Sequence, residues 1–409
     1  MKILYIVHQF YPEFYSGTEK VIFNIAKMMQ IYGHKVKVFT YSFYDNSFYD
    51  YIIGSVMLKE YLYEGIPVLA IKLTNPSFDL HYALANDELG IVTDELIGKE
   101  QPDIVHIGHS MRLSEFIKAA KRIKIPYLLT VTDFFLLCPK VVLSDISGNL
   151  CAGPNGGKTC KKNCPELPRN MISERLQHAS DIIKNAEKII SPSNFVASIF
   201  CNSISGLEVK VIKHGISYSY ITSNERKYKD GDDICFGYAG SLEYHKGIHT
   251  LIKAFKDIQN ENIRLKIYGS GSDEKYVNEI KLMSNTDDRI SFCGIYTKEE
   301  TGKILSDIDV IVIPSLCYES YSLILHEAIA CNVPAIVSNA GGLAEVANNK
   351  IGFTFELGDS DGLNKVMNEI IDNTSKLNDI KNMISNIIVP TIEQEAYAYE
   401  REYYSILNG

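Results

Sequence analysis

No stretch of this sequence is apolar for long enough to cross a bilayer as a helix. Such a helix needs about 20 consecutive apolar residues, and no run in the 409-residue chain reaches that length. Residues 2–10 are mostly apolar, but no small-residue cleavage site follows them, so we interpret them as a first strand rather than a signal peptide. Together these absences predict a cytoplasmic protein.

The chain also lacks an excess of positive charge. It has 41 Lys and Arg against 50 Asp and Glu, a net charge of −9, which argues against a nucleic-acid partner. The G-x-G-x-x-G pattern of nicotinamide-binding folds is absent, and the His of "HEAIA" (326–330) has no second His at the spacing of a zinc protease.

What is present is an alternation of buried-strand and helix patterns, which restarts after the polar segment 223–233. Two such runs predict an α/β fold of two doubly wound Rossmann-like domains that face a central cleft. We assign the domains to residues 1–215 and 216–392, and a final helix to 393–409. The predicted strands lie at 2–10, 35–41, 66–73, 103–109, 126–131, 188–193 and 209–215, and at 234–241, 264–271, 289–295, 309–315, 334–340 and 351–357.

Two glutamates flank the end of one predicted strand in the second domain. Glu319 lies in the loop after the strand, and Glu327 lies in the helix that follows. The amides of Ser322, Leu323 and Ile324 begin that helix, where unpaired N–H groups and the helix dipole favour a diphosphate. The alternative is a helix-capping Glu319 and a surface Glu327.

Other strand ends carry residues suited to phosphate. Gly341 and Gly342 follow the next strand and allow close backbone approach to a ligand, although paired glycines also make plain turns. Lys246, in another strand-end loop, carries an ammonium that neutralises phosphate charge, unless it is a solvated surface lysine. In the first domain, Gly17 opens a helix with its amide free for an anion.

Four of the nine cysteines lie in one loop, residues 138–165. Four thiols with glycine and proline between them suit a structural, tetrahedral zinc ion. The loop has little apolar content, so a metal would supply its folding energy. Free thiols are the alternative. The predicted ligands are Cys138, Cys151, Cys160 and Cys164.

Two further segments suggest partners. Residues 114–126 form a basic amphipathic helix that would contact an anionic membrane surface or, alternatively, only solvent. The aromatic segment 41–54 would stack against an acceptor or pack locally.

The combined motifs carry a family resemblance. The segment 314–346, with its E-x7-E pair, resembles the hallmark of the retaining glycosyltransferases of family 4, which have the two-domain GT-B fold. Residues 237–247 and the loop at Gly17 match as well. Ser241 stands where the family often has Arg, and Ser16 where it often has Gly.

The resemblance implies a glycosyltransferase whose second domain binds a nucleotide-sugar donor. It places the ribose at Glu327, the sugar hydroxyls at Glu319, and the diphosphate at Lys246 and Gly17. It also implies transfer with retention, without a catalytic metal or cofactor, and a final helix that crosses back to the acceptor-side first domain.

For the first domain the resemblance points to a histidine, for which His106 and His109 are available. We prefer His109 because it lies nearer the strand end, and expect His106 in the core. Asp133 is expected to face the cleft. Relatives with a similar cysteine loop build surface polysaccharide, which implies a glycan or lipid-linked acceptor, with a peripheral membrane contact as an option. A nucleotide-sugar epimerase and a non-catalytic binding protein remain the alternatives.

Overall fold

The computed structural model describes residues 1–347 and 352–409, and it divides into two compact units. The first unit comprises Met1–Gly215 and Ile392–Gly409, and the second comprises Ile216–Thr391. Among the described residues, no helix has both the length and the apolar character that a membrane crossing requires.

The first unit is built on a nine-stranded sheet in the order β3-β4-β5-β2-β1-β6-β7-β8-β9. Its central strands are buried on both faces because helices cover the sheet on either side, which explains their continuous apolar sequences. The strands are β1 (Lys2–Val7), β2 (Lys35–Tyr41), β3 (Tyr51–Ile53), β4 (Val56–Tyr63), β5 (Ile66–Leu73), β6 (Ile104–Ile107), β7 (Tyr127–Thr130), β8 (Lys188–Ser191) and β9 (Lys210–Val211).

The helices of this unit are α1 (Gly17–Ile31), α2 (Asp87–Glu100), α3 (Ser114–Arg122), α4 (Lys158–Asn163), α5 (Arg169–Lys184), α6 (Asn194–Ser203) and, from the chain's end, α14 (Ile392–Asn408). Helices α1, α2, α3 and α6 each follow a strand of this unit, as the alternation predicts, whereas α5 follows α4 and α14 follows the last helix of the second unit.

One edge of the first sheet was not predicted. Strands β3 and β4 form an antiparallel extension that pairs with β5, and the turn from β4 to β5 passes through Glu64 and Gly65, both with positive φ. β4 was missed because its first three residues are all buried and only its second half alternates. The aromatic segment 41–54 therefore leads into this edge.

Helix α14 is anchored in the first unit by a buried polar network. Tyr399 and Tyr403 are fully buried. The Tyr403 hydroxyl lies 2.6 Å from Nδ1 of His106, and the Thr130 hydroxyl lies 2.8 Å from Nε2 of the same ring. Both nitrogens of His106 are therefore used within the core, and burial lowers its pKa to about 3.

The second unit has a fully parallel six-stranded sheet in the order β12-β11-β10-β13-β14-β15. The order reverses at β10 and β13, and ligands of such sheets bind beyond the strand ends near that point. Its strands are β10 (Ile234–Ala239), β11 (Ile263–Tyr268), β12 (Ile290–Gly294), β13 (Val310–Ile313), β14 (Ala335–Ser338) and β15 (Gly352–Phe355). Ile351, the first residue of the last predicted strand, lies outside the described residues.

The helices of the second unit are α7 (Ile248–Lys256), α8 (Glu274–Ser284), α9 (Thr301–Ser306), α10 (Leu323–Ala330), α11 (Gly341–Ala347), α12 (Ser360–Asp372) and α13 (Lys376–Ile384). The segment 223–233, which the sequence suggested as a linker, contains no helix or strand but packs against this unit. Tyr228 is 3% exposed, and the Arg226 guanidinium pairs with Asp309 at 2.8 Å. The polar sequence of this segment conceals these anchors.

Candidate active site

The loops after β10 and β13 bring two predicted site residues into contact in the second unit. Nζ of Lys246 lies 2.7 Å from Oε1 of Glu319, and the Ser315 hydroxyl donates to the same oxygen at 2.6 Å. Both charged side chains are only partly exposed. Lys246 is therefore not a fully solvated surface lysine, the alternative that the sequence left open.

Each member of this pair holds the other in its charged form. Burial opposes ionisation of Glu319, but the Lys246 ammonium and the Ser315 hydroxyl together lower its carboxyl pKa below the usual value. Burial likewise opposes the charge on Lys246, but Glu319 raises the ammonium pKa. The pair therefore presents a fixed cation and anion at neutral pH.

A glycine makes this contact possible. Gly247 has φ +71, and a Cβ there would lie 1.9 Å from the carbonyl oxygen of Pro314, so the β10 loop can dock on the β13 loop only with glycine at this position. The Leu316 amide donates to the carbonyl of His245 at 2.8 Å and completes the docking. Lys246 is thus positioned by its backbone neighbours.

Helix α10 begins directly after Glu319. Ser322 precedes it with φ +64, and Leu323 and Ile324 are its first residues, so its leading amides have no partner within the helix. Glu327 is half-buried one turn further on. Burial and the charge of Glu327 raise the pKa of Tyr296, which places this carboxylate near that phenol.

Gly341 and Gly342 allow a close contact between two backbone segments of the second unit. A Cβ on Gly341 would lie 2.9 Å from the Glu319 carbonyl oxygen, and one on Gly342 would lie 2.8 Å from that of Ser320. The Gly342 amide donates to the Glu319 carbonyl at 2.7 Å. The close approach that the glycines allow is therefore to the Glu319 backbone, which they hold in place.

In the first unit, His109 and Asp133 come together beyond β6 and β7. Nε2 of His109 lies 2.7 Å from Oδ2 of Asp133, and the Phe135 amide donates to the other carboxylate oxygen at 2.8 Å. Burial alone would raise the carboxyl pKa, but His109 and the Phe135 amide lower it. Asp133 therefore fixes the orientation of the His109 ring.

Gly17 begins α1 in an exposed position, and a Cβ there would have no neighbour within 4 Å. The space at this position would admit a side chain, so the structure does not require glycine here. The adjacent Thr18 hydroxyl donates to Thr132 at 3.0 Å and ties this loop to the end of β7.

The cysteine loop does not form the predicted tetrahedral site. Within the described ranges, no three His, Cys, Asp or Glu side chains are arranged to hold a metal ion. The thiols are nonetheless near one another, because burial and the other three together raise the pKa of Cys160 to about 11. The loop also has anchors of its own, since Leu143 is buried and Ser144 pairs with Leu150. These contacts contribute to the stability of the loop.

The sequence analysis assigned no role to Ser315 or to a cluster of three polar residues in the first unit. Ser315 ends a predicted strand, so its place at the site could have been inferred. His8, Glu19 and Arg112 meet beyond β1 and β6. The sequence holds no signal for Arg112, because its approach depends on a backbone with φ +66.

Two family models match consecutive parts of this chain. "Glycosyltransferase Family 4" matches residues 15–220, just over half of the chain, and "Glycosyl transferases group 1" matches residues 221–386. The boundary between them lies close to that between the two units.

Most individual relatives align with only part of this chain. An uncharacterized glycosyltransferase of Methanocaldococcus jannaschii is 29% identical over 189 residues, 42% of this chain and 48% of the relative. The capsular polysaccharide biosynthesis glycosyltransferase CapM of Staphylococcus aureus is 29% identical over 167 residues, 37% of this chain and 40% of the relative. The chain thus matches about half or less of the length of these relatives.

The solved structure of Anabaena HepE in complex with UDP and glucose is similar to this chain, with a TM-score of 0.70 and 18% sequence identity. The match covers 99% of this chain and 100% of the HepE chain. At this identity the likeness shows the fold, and it confirms the predicted GT-B fold class. The match over residues 15–220 shows the family. The chain belongs to glycosyltransferase family 4.

Proposed function

We propose that the protein is a retaining glycosyltransferase that moves a hexosyl or related sugar from a nucleotide-diphosphate sugar to a glycan or lipid-linked acceptor. The observation that carries the proposal is the paired Lys246 and Glu319 beside the first turn of α10. A cation and free amides suit a diphosphate, and a carboxylate suits sugar hydroxyls. Glu327, further along the helix, would receive the ribose. HepE, whose solved structure contains UDP and glucose, supports this class of donor.

In this proposal the acceptor oxygen attacks the anomeric carbon from the face that the diphosphate leaves. The new carbon–oxygen bond forms as the bond from that carbon to the phosphate oxygen breaks. The acceptor proton passes to the departing diphosphate, so the reaction needs no protein nucleophile. Lys246 and the leading amides of α10 would stabilise the charge that develops on the leaving group. His109, oriented by Asp133, would bind the transferred sugar or the acceptor.

Surface-polysaccharide assembly is the proposed setting. A capsular polysaccharide glycosyltransferase among the relatives supports it. A cytoplasmic protein at the inner face of the membrane would meet a lipid-linked acceptor there. Helix α3 offers limited support for such contact, because Lys118 pairs with Glu115 at 2.8 Å and Arg122 with Asp94 at 2.6 Å, while Lys121 stays exposed.

A structural zinc ion in the cysteine loop is part of the proposal. Burial raises the pKa of the Cys138 thiol, and the amides of Lys140 and Leu143, which bond to its sulfur, only partly oppose this rise. Zinc would bind this sulfur as the thiolate. The four thiols would have to draw closer around the ion, and a closed four-sulfur site has no open position for substrate. The ion would therefore stabilise the loop without taking part in the chemistry.

Turnover of a nucleotide-sugar panel tests the function. The purified protein is incubated with each donor without acceptor, and products are identified by mass spectrometry. A transferase slowly hydrolyses its donor and releases the nucleoside diphosphate. An epimerase would instead change the retention time of the intact donor or of its sugar, and a binding protein would show donor affinity without any product. Either result would overturn the proposal.

A further inference from the structure

Three buried polar atoms without hydrogen-bond partners lie together in the first unit. In the described parts of the chain only four buried side-chain nitrogen or oxygen atoms have no partner, and three of them are Nδ1 of His8, Oε1 of Glu19 and Nε of Arg112. A buried polar atom that is left unpaired lowers stability, so such atoms are rare in folded proteins. A group of three at the carboxyl end of the sheet therefore indicates a ligand position.

These residues form one cluster. Oε1 of Glu19 lies 3.6 Å from Nε2 of His8, and Nη2 of Arg112 donates to the His8 carbonyl at 3.0 Å. The His8 ring packs on that of His109 with centroids 3.9 Å apart. Glu19 is fully buried and Arg112 is 6% exposed. The cluster therefore adjoins the His109–Asp133 pair directly.

The backbone of Arg112 supports a functional assignment. Its φ of +66 is unfavourable for a residue with a side chain, and such strain is concentrated at binding and catalytic sites. The strained backbone lets the guanidinium donate to the His8 carbonyl while Nη1 contacts Nδ1 of His81 at 3.1 Å. Nε remains unpaired among these contacts.

The unpaired atoms include both a hydrogen-bond acceptor and a donor, which limits the kinds of ligand that can satisfy them. A carboxylate oxygen needs a donor, whereas Nε of Arg112 needs an acceptor. A phosphate is negatively charged and would be repelled by Glu19, and an ammonium only donates and would be repelled by Arg112. A hydroxyl does both, so the cluster fits a neutral ligand that carries hydroxyl groups.

An aromatic face beside the cluster distinguishes a sugar from water. The Phe43 ring is 40% exposed and stacks parallel to His81, with centroids 6.1 Å apart. The Arg112 guanidinium lies 4.9 Å from the centre of the Phe43 ring and so connects this ring to the buried cluster. Polar groups next to an exposed ring suit a sugar, which has hydroxyls on its edge and C–H groups on its face.

We propose that Glu19, Arg112 and His8, with the Phe43 ring, form a binding subsite for a hydroxyl-bearing sugar unit of the acceptor. This inference rests on the proposed function and names the first-unit residues that select the acceptor. Glu19 and Arg112 hold one hydroxyl from opposite sides, and Phe43 covers the sugar ring. Acceptors that lack this hydroxyl bind more weakly because Oε1 of Glu19 and Nε of Arg112 then stay without a hydrogen-bond partner.

Saturation-transfer NMR with the methyl glycosides of glucose, galactose, mannose and N-acetylglucosamine tests the subsite. At least one glycoside is expected to bind the wild-type protein, and Glu19→Gln and Phe43→Ala should each weaken it about tenfold, or about 1.4 kcal/mol. Tyr51→Ala is the matched control, since this ring is also 40% exposed but lies on the edge strand β3. Phe43→Ala removes an exposed ring, so it keeps the test valid if Glu19→Gln fails to fold.

Binding of UDP-glucose and the other panel donors to the same sample separates the two proposals. A donor that binds, without glycoside binding or with binding indifferent to both substitutions, overturns the subsite alone. This outcome would leave water as the partner of the three atoms. Glycoside binding that depends on Glu19 and Phe43, in a protein that binds no donor, overturns the proposed function instead.

Discussion

At the residue scale, Glu319 and Glu327 have different surroundings. Glu319 is bound by Lys246 and Ser315, whereas Glu327 lies further along α10, near Tyr296. Glu319 therefore has a fixed charge partner in Lys246. This difference supports separate roles at the two ends of a donor.

We predict that Glu319→Gln chiefly lowers kcat and that Glu327→Ala chiefly raises the donor KM. Glu319 would contact the sugar at the reacting carbon, whereas Glu327 would bind the ribose equally in ground and transition states. A lost hydrogen bond to a charged group is worth about 1.5–3 kcal/mol, so each change should be about 10- to 100-fold. Steady-state kinetics measures both. Glu369→Gln, which breaks an exposed ion pair with Lys376, is the control, and wild-type kinetics in both site variants would refute the assignment.

The Lys246–Glu319 pair also predicts a pH dependence of stability. The pKa of Glu319 is lowered, so its contribution is present above the unfolded value of about 4.3 and is lost as pH falls through the folded value. The pKa of Lys246 is raised, so its contribution is present below about 10.4 and is lost at higher pH. The pair therefore stabilises the fold fully between about pH 5 and pH 10.

Chemical denaturation of wild type and Glu319→Gln across pH tests this window. The difference in unfolding free energy should be greatest near neutral pH and should shrink as the solution is acidified below about pH 4. A difference that stays constant from neutral to acid pH would show that the substitution acts through packing rather than charge.

At the element scale, α14 depends on hydroxyl groups that its apolar pattern does not show. Tyr403→Phe keeps the ring but leaves Nδ1 of buried His106 without a partner. We expect a loss of about 1–3 kcal/mol in the free energy of unfolding. Tyr404→Phe is the control, because the neighbouring ring is 47% exposed. Equal stability of the two variants in urea denaturation would contradict the proposed anchoring.

The cysteine loop carries the second prediction at this scale. Protein purified without chelator should contain about one equivalent of zinc, and Cys160→Ser with Cys164→Ser should remove it and speed hydrogen exchange over residues 138–165. Cys293→Ser, at an exposed cysteine outside the loop, should retain the metal. Elemental analysis of the purified proteins measures their zinc content. Wild-type protein without transition metal, with four freely titratable thiols in the loop, would end the zinc proposal.

The strand-end positions of the site were predictable, but its contacts were not. Parallel strands deliver their carboxyl ends to one edge, so the sequence could place Lys246 and Glu319 at that edge. Their ion pair depends on the docking of Gly247 against Pro314, which no spacing encodes. The β3–β4 edge was not predicted because the first half of β4 does not alternate between buried and exposed residues. The place of Arg112 was not predictable because it depends on a positive backbone φ angle, which the sequence does not indicate.

At the scale of the whole molecule, the proposed chemistry relies on protein groups to neutralise the diphosphate. Lys246 and the first amides of α10 supply this charge in the second unit. Brief addition of EDTA should therefore leave turnover unchanged, as measured by release of nucleoside diphosphate. Immediate loss of activity that Mg²⁺ or Mn²⁺ restores would show instead that a metal bridges the phosphates.

Real-time proton NMR of donor hydrolysis tests the central claim most directly, because it observes bond cleavage and stereochemistry together. The nucleotide sugar selected by the panel is incubated with the protein, and the anomeric signals of the released sugar are followed before they equilibrate. A retaining glycosyltransferase releases the nucleoside diphosphate together with a sugar that first carries the anomeric configuration of the donor. Release of the opposite anomer, or no release from any donor, would contradict the account.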